Sequence, residues 1–150
     1  MIVKSQSGNA VNVANAQCFR EKDEVDWRNW EFRRGEIYLI NFGDEVIGSE
    51  YKNKRPAVIL SNDMNNRYSE ILQVAPITSQ KKTNLPVHVK LGIEDGLKLD
   101  NSIISIEQTR CVSKKRALLN GSIIRITKLS KNKMDLIDSA IKIQFGLIYD

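Results

Sequence analysis

One histidine and two cysteines are all that 150 residues provide of the commonest soft metal ligands and of the commonest proton shuttle. A single histidine, His88, excludes within one chain a ribonuclease built on a histidine pair and any histidine-rich metal centre. Cys18 and Cys111 have no His or Cys neighbours at metal-ligand spacing, so neither a zinc site nor a disulfide framework is expected, and no residue is assigned to a metal. No Gly-rich phosphate loop of Walker type is present, no Ser, His and Asp fall at triad spacing, and acids do not cluster as a two-metal nuclease requires. No apolar run approaches a membrane span, and Met1-Ile2-Val3-Lys4-Ser5 lacks the apolar core of a signal peptide. These absences lead us to expect a reduced, cytoplasmic protein with no membrane partner and no cofactor.

What is present is basic and of single-domain size. Lys and Arg number 23 against 18 Asp and Glu, a net +5 that favours an anionic partner. The excess is uneven. Residues 1 to 32 hold four basic residues (Lys4, Arg20, Lys22, Arg28) and five acidic ones (Glu21, Asp23, Glu24, Asp26, Glu31), so the remainder carries +6. We therefore divide the chain into an N-terminal extension, 1–32, partly flexible, and a basic domain, 33–150, large enough to bury a core unaided.

Residues 1 to about 20 are rich in Asn, Ala, Gln and Ser without sustained periodicity and read as a loosely ordered arm. Trp27 and Trp30, three apart, suggest a short helical turn. From Arg34 the pattern is β: 36–42, 55–60, 71–77 and 85–91 are rich in branched and aromatic residues, with 102–112 as a fifth strand and 122–126 as a shorter sixth. The breaks contain Gly43, Asp44, Gly48, Asn62, Asp63, Asn65, Asn66 and Asn84, which are turn residues. Met134, Ile137, Ala140, Ile141 and Phe145 repeat at helical spacing, with Ser130 as cap and Gly146 as stop. The fold class expected is mainly β with a C-terminal α-helix, a small antiparallel barrel.

Chemistry concentrates in Gly48-Ser49-Glu50-Tyr51-Lys52-Asn53-Lys54-Arg55-Pro56, which runs into Ala57-Val58-Ile59-Leu60, and in Thr78, which ends the next apolar run. An arginine braced by a proline and a strand is a planar fork suited to phosphate. On residue chemistry alone a second reading stands beside this one: Arg55 makes a surface ion pair, Thr78 ends a strand and Gly48-Ser49 is a turn. His88, inside Leu85-Pro86-Val87-His88-Val89-Lys90-Leu91, reads as a structural residue.

Arg34-Gly35-Glu36-Ile37-Tyr38, Gly48-Ser49-Glu50, Arg55-Pro56-Ala57-Val58-Ile59 and Ser61-Asn62-Asp63 with Asn66 closely resemble the start of the MazF/PemK toxin family. Ala75-Pro76-Ile77-Thr78, Leu85-Pro86-Val87-His88-Val89, Ser102-Ile103-Ile104 leading to Glu107-Gln108-Thr109-Arg110, and the closing helix follow in the family's order over about residues 33 to 149. The resemblance implies an SH3-like barrel, usually a homodimer, acting as a metal-independent endoribonuclease toxin on single-stranded RNA, typically mRNA. It also implies a cognate MazE-like antitoxin. By resemblance Arg55 and Thr78 carry the chemistry and Ser49 assists, while Glu50 and Gln108 lie near the substrate. The expected products are a 2′,3′-cyclic phosphate and a 5′-OH.

Two departures stand out. Where relatives often have glycine-rich sequence, this chain has Tyr51-Lys52-Asn53-Lys54; Tyr51 can stack on a base and Lys52 and Lys54 can attract phosphate, or the segment merely solvates a loop. The extension is the other. Either Trp27, Trp30 and Phe32 pack on the barrel flank, or the acids and tryptophans lie in the basic groove and lower activity in cis. A competing function, from a different class, is a catalytically silent barrel that binds protein or nucleic acid, including a gyrase-poison-like role.

Overall fold

The computed structural model describes residues 24–79 and 85–148. Its elements are β1 (Glu36–Asn41), β2 (Lys54–Ile59), α1 (Asp63–Tyr68), β3 (Ile71–Thr78), β4 (His88–Leu91), β5 (Ser102–Ser105), β6 (Arg110–Ser113), β7 (Leu118–Leu119), β8 (Ser122–Ile123), β9 (Arg125–Lys128) and α2 (Lys131–Gln144). Among the described residues seven strands form one curled antiparallel sheet in the order β4-β5-β3-β2-β1-β9, with β6 also paired to β3, and β7 and β8 make a separate hairpin. The sheet covers α2, so the fold is mainly β with a C-terminal helix.

Each face of the sheet has its own core. Ile37, Val58, Ala75, Ile77, Val89, Leu91, Ile104 and Ile106 turn toward α2 and meet Ile137 and Ala140 there. Tyr38, Ile40, Ala57, Ile59, Leu72, Val74 and Val112 face the other way, onto Phe32 and Phe42. Period-two alternation along β1 and β2 sends neighbours to opposite cores, and each fully buried aliphatic side chain is worth roughly 1.5–3 kcal/mol. Ser130 caps α2 by accepting from the Lys133 N–H at 3.3 Å.

Four sequence expectations change. Residues 62–66, expected as a break, open α1, because Asn62 accepts from the Asn65 N–H at 2.8 Å as an N-cap. The buried Asn66 then bonds Ser61 through both its amide atoms. The strand expected over 102–112 is two strands, β5 and β6, lying along one edge of β3 and separated by a 3₁₀ turn, Ile106–Gln108. The strand expected over 122–126 divides into β8 and β9 around Ile124. Trp27 and Trp30 do not make a helical turn: the Asp26 carboxylate accepts from the Arg28 N–H (3.2 Å) and the Asn29 amide (2.7 Å), closing an Asx turn instead.

Residues 24–32 are packed on the sheet. Phe32, 2% exposed, meets Tyr38 edge-on with ring centroids 4.9 Å apart. The Trp30 indole donates to the Tyr38 hydroxyl at 3.0 Å, and that hydroxyl donates to Glu36 Oε1 at 2.8 Å. Glu36 also accepts from the Arg33 N–H (2.9 Å) and from Arg125 (2.6 Å), so its buried carboxylate is fully partnered. Burial, with Glu36 adding, pushes the Tyr38 phenol well above its ordinary value, while the Trp30 bond opposes the rise. The tryptophans thus occupy the flank. The remainder of the extension, 1–23, lies outside the described residues.

Candidate active site

The loop between β1 and β2 begins and ends at one knot. Phe42 donates to the Asn53 carbonyl (2.9 Å), Asn53 donates to the Gly43 carbonyl (2.6 Å), and Asn53 takes a left-handed φ of 67° to do so. Inside it, Glu50 is turned back on its own segment: its backbone N–H reaches the Ile47 carbonyl (3.2 Å) and its carboxylate accepts from the Ile47 N–H (2.9 Å). Ser49 and Glu50 are exposed.

Tyr51 is 7% exposed and shares a hydrogen bond of 2.8 Å with Ser105 Oγ on β5. Its ring lies 5.0 Å below the Arg55 guanidinium. The ring therefore is not an open platform for a base; it is the floor on which Arg55 rests. Arg55 Nε donates to the Lys52 carbonyl at 3.1 Å, which fixes the plane of the fork, and among the described residues Arg55 makes no ion pair. Lys52 and Lys54 are exposed beside it.

Register relates Arg55 to Thr78. β2 and β3 pair Ala57 with Pro76, the last pair of their ladder, and Arg55 and Thr78 each lie two residues beyond it on their own strands, on the face of Ala57 and Pro76 by alternation. That face also carries Arg110, which pairs with Val74 and stacks 5.5 Å over Phe42. Arg116 reaches the Asn41 carbonyl at 2.9 Å near the start of the loop. Thr78 is 2% exposed and pairs with Ile103. A ligand that engages its hydroxyl must therefore uncover it.

Gln108 donates from its amide to the Ser49 carbonyl at 3.0 Å, so its tie to the loop is to backbone rather than to a side chain. Ser105, Glu107, Arg110 and Arg116 are the residues that sequence reasoning leaves without a role. The alternation of Ser102-Ile103-Ile104-Ser105-Ile106 carries no cue for Ser105, because all five are buried. Among the described residues no group of three or more His, Cys, Asp and Glu side chains is placed to hold a metal ion, and no helix is long and apolar enough to cross a membrane.

A curled antiparallel sheet closed by a C-terminal helix, with Lys52, Lys54 and Arg55 gathered where the β1–β2 loop enters β2, defines a small β domain with a basic edge at that loop. Known proteins make the class specific. Residues 33–145 match the model of the PemK-like, MazF-like toxin of type II toxin–antitoxin systems, and the chain belongs to that family. It is 36% identical over 118 residues, 77% of this chain and 96% of the relative, to endoribonuclease EndoA of Bacillus subtilis (strain 168). Among solved structures it is similar to MazF from Deinococcus radiodurans, with a TM-score of 0.63 at 20% identity, covering 78% of this chain and 98% of that one. It is also similar to a mycobacterial endoribonuclease in complex with its cognate antitoxin, with a TM-score of 0.60 at 21% identity, covering 79% and 98%. At those identities the structural likeness bears on the fold.

Proposed function

We propose that the chain is a ribonuclease toxin that cuts single-stranded RNA at the face to which Arg55 and Thr78 belong. The observation that carries this reading is the preparation of Arg55: floor, Nε anchor and strand are all in place, and its remaining N–H donors make no ion pair among the described residues. The EndoA relative, named an endoribonuclease, supports the substrate class.

Such a site has little covalent work to do. The ribose 2′-OH gives its proton to the base and its oxygen attacks the adjacent phosphorus, the P–O5′ bond breaks, and the 5′ oxygen takes a proton from solvent water, leaving a 2′,3′-cyclic phosphate and a 5′-OH. Arg55 offers two N–H groups to the non-bridging oxygens as charge accumulates on them, and the hydroxyls of Thr78 and Ser49 complete the cradle. An arginine is protonated at any working pH, so Arg55 acts as an electrostatic clamp on the phosphoryl oxygens and not as base. Glu50, of the three carboxylates on the loop the one nearest Arg55 in sequence, is assigned as the base to test. Lys52 and Lys54 draw the RNA backbone in, and Gln108 holds Ser49 to the substrate side. The domain over 33–150 is taken to work as a homodimer in the cytoplasm, restrained by a cognate antitoxin, with residues 1–32 as an extension.

Incubation of the protein with a long single-stranded RNA in EDTA, beside Arg55→Ala, tests the reading. Cleavage by wild type that falls by about 10²-fold or more in the variant supports it, in line with the loss of one charge-stabilising donor. Absence of cleavage on diverse RNAs, or an unimpaired variant, overturns it.

A further inference from the structure

His88 lies on β4 directly across from Ser105 of β5, with its side chain only 3% exposed. Its Nε2 meets Glu107 Oε2 at 2.9 Å, whereas His88 Nδ1 and Glu107 Oε1 are both buried and have no hydrogen-bond partner among the described residues. Two stranded polar atoms are an expense that a pair of apolar side chains of the same shape would avoid. The one bond they do make must therefore serve something that packing alone would not supply.

Glu107 belongs to the 3₁₀ turn Ile106–Gln108 that bulges between β5 and β6. Ser105, just before the turn, and Gln108, its last residue, both grip the β1–β2 loop: Ser105 Oγ bonds the Tyr51 hydroxyl, and the Gln108 amide bonds the Ser49 carbonyl. Those grips fall close together on the loop, at Ser49 and Tyr51. Tyr51 in turn carries Arg55 on its ring. Glu107 is the middle of this clamp and His88 is its fixed end, held in the sheet by its strand pairing.

We propose that His88, acting through Glu107, is a positioning residue that sets the Ile106–Gln108 turn so that Ser105 and Gln108 hold Tyr51 and Ser49, and with them Arg55, in the cutting geometry. Its catalytic half rests on the ribonuclease reading above. Its structural half does not. His88 touches neither RNA nor Arg55; it works by limiting how far the loop strays. A reacting group displaced by about 1 Å loses on the order of a hundredfold in rate, so even a partial release of the clamp is visible in kcat.

The experiment is hydrogen–deuterium exchange of the full chain beside RNA cleavage kinetics, for wild type, His88→Leu, Glu107→Ala and His88→Gln. Breaking the bond from either end is expected to raise exchange over residues 47–55 about tenfold while β1, β3 and the remainder of β2, residues 56–59, stay protected. The expected kinetic change is a fall in kcat of about tenfold or more with KM within about twofold, since the loss is of orientation and not of affinity. His88→Gln, whose amide N–H can reach Glu107 as Nε2 does, is expected to return kcat to within about threefold of wild type. Glu107→Ala cuts the bond from its more exposed end and serves if His88→Leu does not fold. Exchange over 47–55 that stays at the wild-type rate in Glu107→Ala overturns the clamp, as does exchange that rises equally through the whole sheet. Loosening of the loop with kcat unchanged overturns the positioning role. If wild type cuts no RNA yet the loop loosens as described, the clamp stands and the ribonuclease reading falls.

Discussion

Replacing Tyr51 by Phe removes one oxygen and leaves the floor under Arg55 in place. Ser105 is 0% exposed and its hydroxyl has the Tyr51 hydroxyl as its partner, so the variant strands a buried polar group. Losing the bond and leaving that group unsatisfied costs about 1–3 kcal/mol. Ser105→Ala breaks the same bond from the other side, at a comparable or smaller cost, because Tyr51 sits nearer the surface. The double variant removes both groups together, so it is expected to lose less than the sum of the two singles by about 1 kcal/mol or more. Urea unfolding of the four proteins measures this cycle, with midpoints compared at equal slopes. The same proteins assayed on RNA should lose rate in Tyr51→Phe while retaining measurable cleavage, since the ring still supports the guanidinium; Tyr51→Ala, which removes the floor, should lose more. Strict additivity in the unfolding cycle would refute the coupling of loop to β5, and a Tyr51→Ala no slower than Tyr51→Phe would refute the floor.

Replacing Lys52 and Lys54 together by Ala should weaken RNA binding at low salt and flatten its salt dependence, by about 0.7 in the log–log slope for each phosphate no longer neutralised; an unchanged slope in a filter-binding or fluorescence titration would leave them as loop solvation. Lys114 is 2% exposed, lies 5.9 Å from the centre of the Phe32 ring, and forms no ion pair among the described residues. Burial pulls its pKa below the ordinary lysine value, with Glu70 opposing weakly. The unfolded chain thus binds the proton more readily, and stability should rise with pH between the folded pKa and the unfolded one near 10.5, a rise that Lys114→Met should abolish in pH-dependent melting. The depression of stability that a buried ammonium causes below that window should also be absent in Lys114→Met.

Much of this could be read from residue order. The β1–β2–β3 core was legible because Ile37 to Ile40 and Ala57 to Leu60 alternate or run apolar between clear turn residues, and α2 because Ile137, Ala140 and Ile141 repeat with Ser130 ahead of them. The helix at 63–68 was not, since Asn and Asp signal a turn and a cap equally well, and only the buried Asn66 with its Ser61 bonds decides for the cap. The division of 102–112 was hidden for a different reason. No turn residue marks Ile106–Gln108 in the sequence, and the partners that meet its side chains, His88 at Glu107 and the Ser49 carbonyl at Gln108, come from distant segments. At the site, Arg55 and Thr78 were visible as a braced cation and a strand-end hydroxyl. The burial of Tyr51 beneath Arg55 was not, because a tyrosine between Glu50 and Lys52 in a polar loop has the pattern of an exposed residue, and its partner Ser105 lies 54 positions away.

The proposed chemistry stands or falls on the ribose hydroxyl. The most direct measurement uses an RNA that the protein cuts, synthesised with a single 2′-deoxy sugar on the 5′ side of the cut bond and incubated in EDTA, with product ends resolved by mass. Cleavage of the all-ribose strand to a 2′,3′-cyclic phosphate and a 5′-OH, with the deoxy strand intact at that bond, is the predicted result. A deoxy strand cut at the same bond, or a 5′-phosphate on the downstream product, would contradict it.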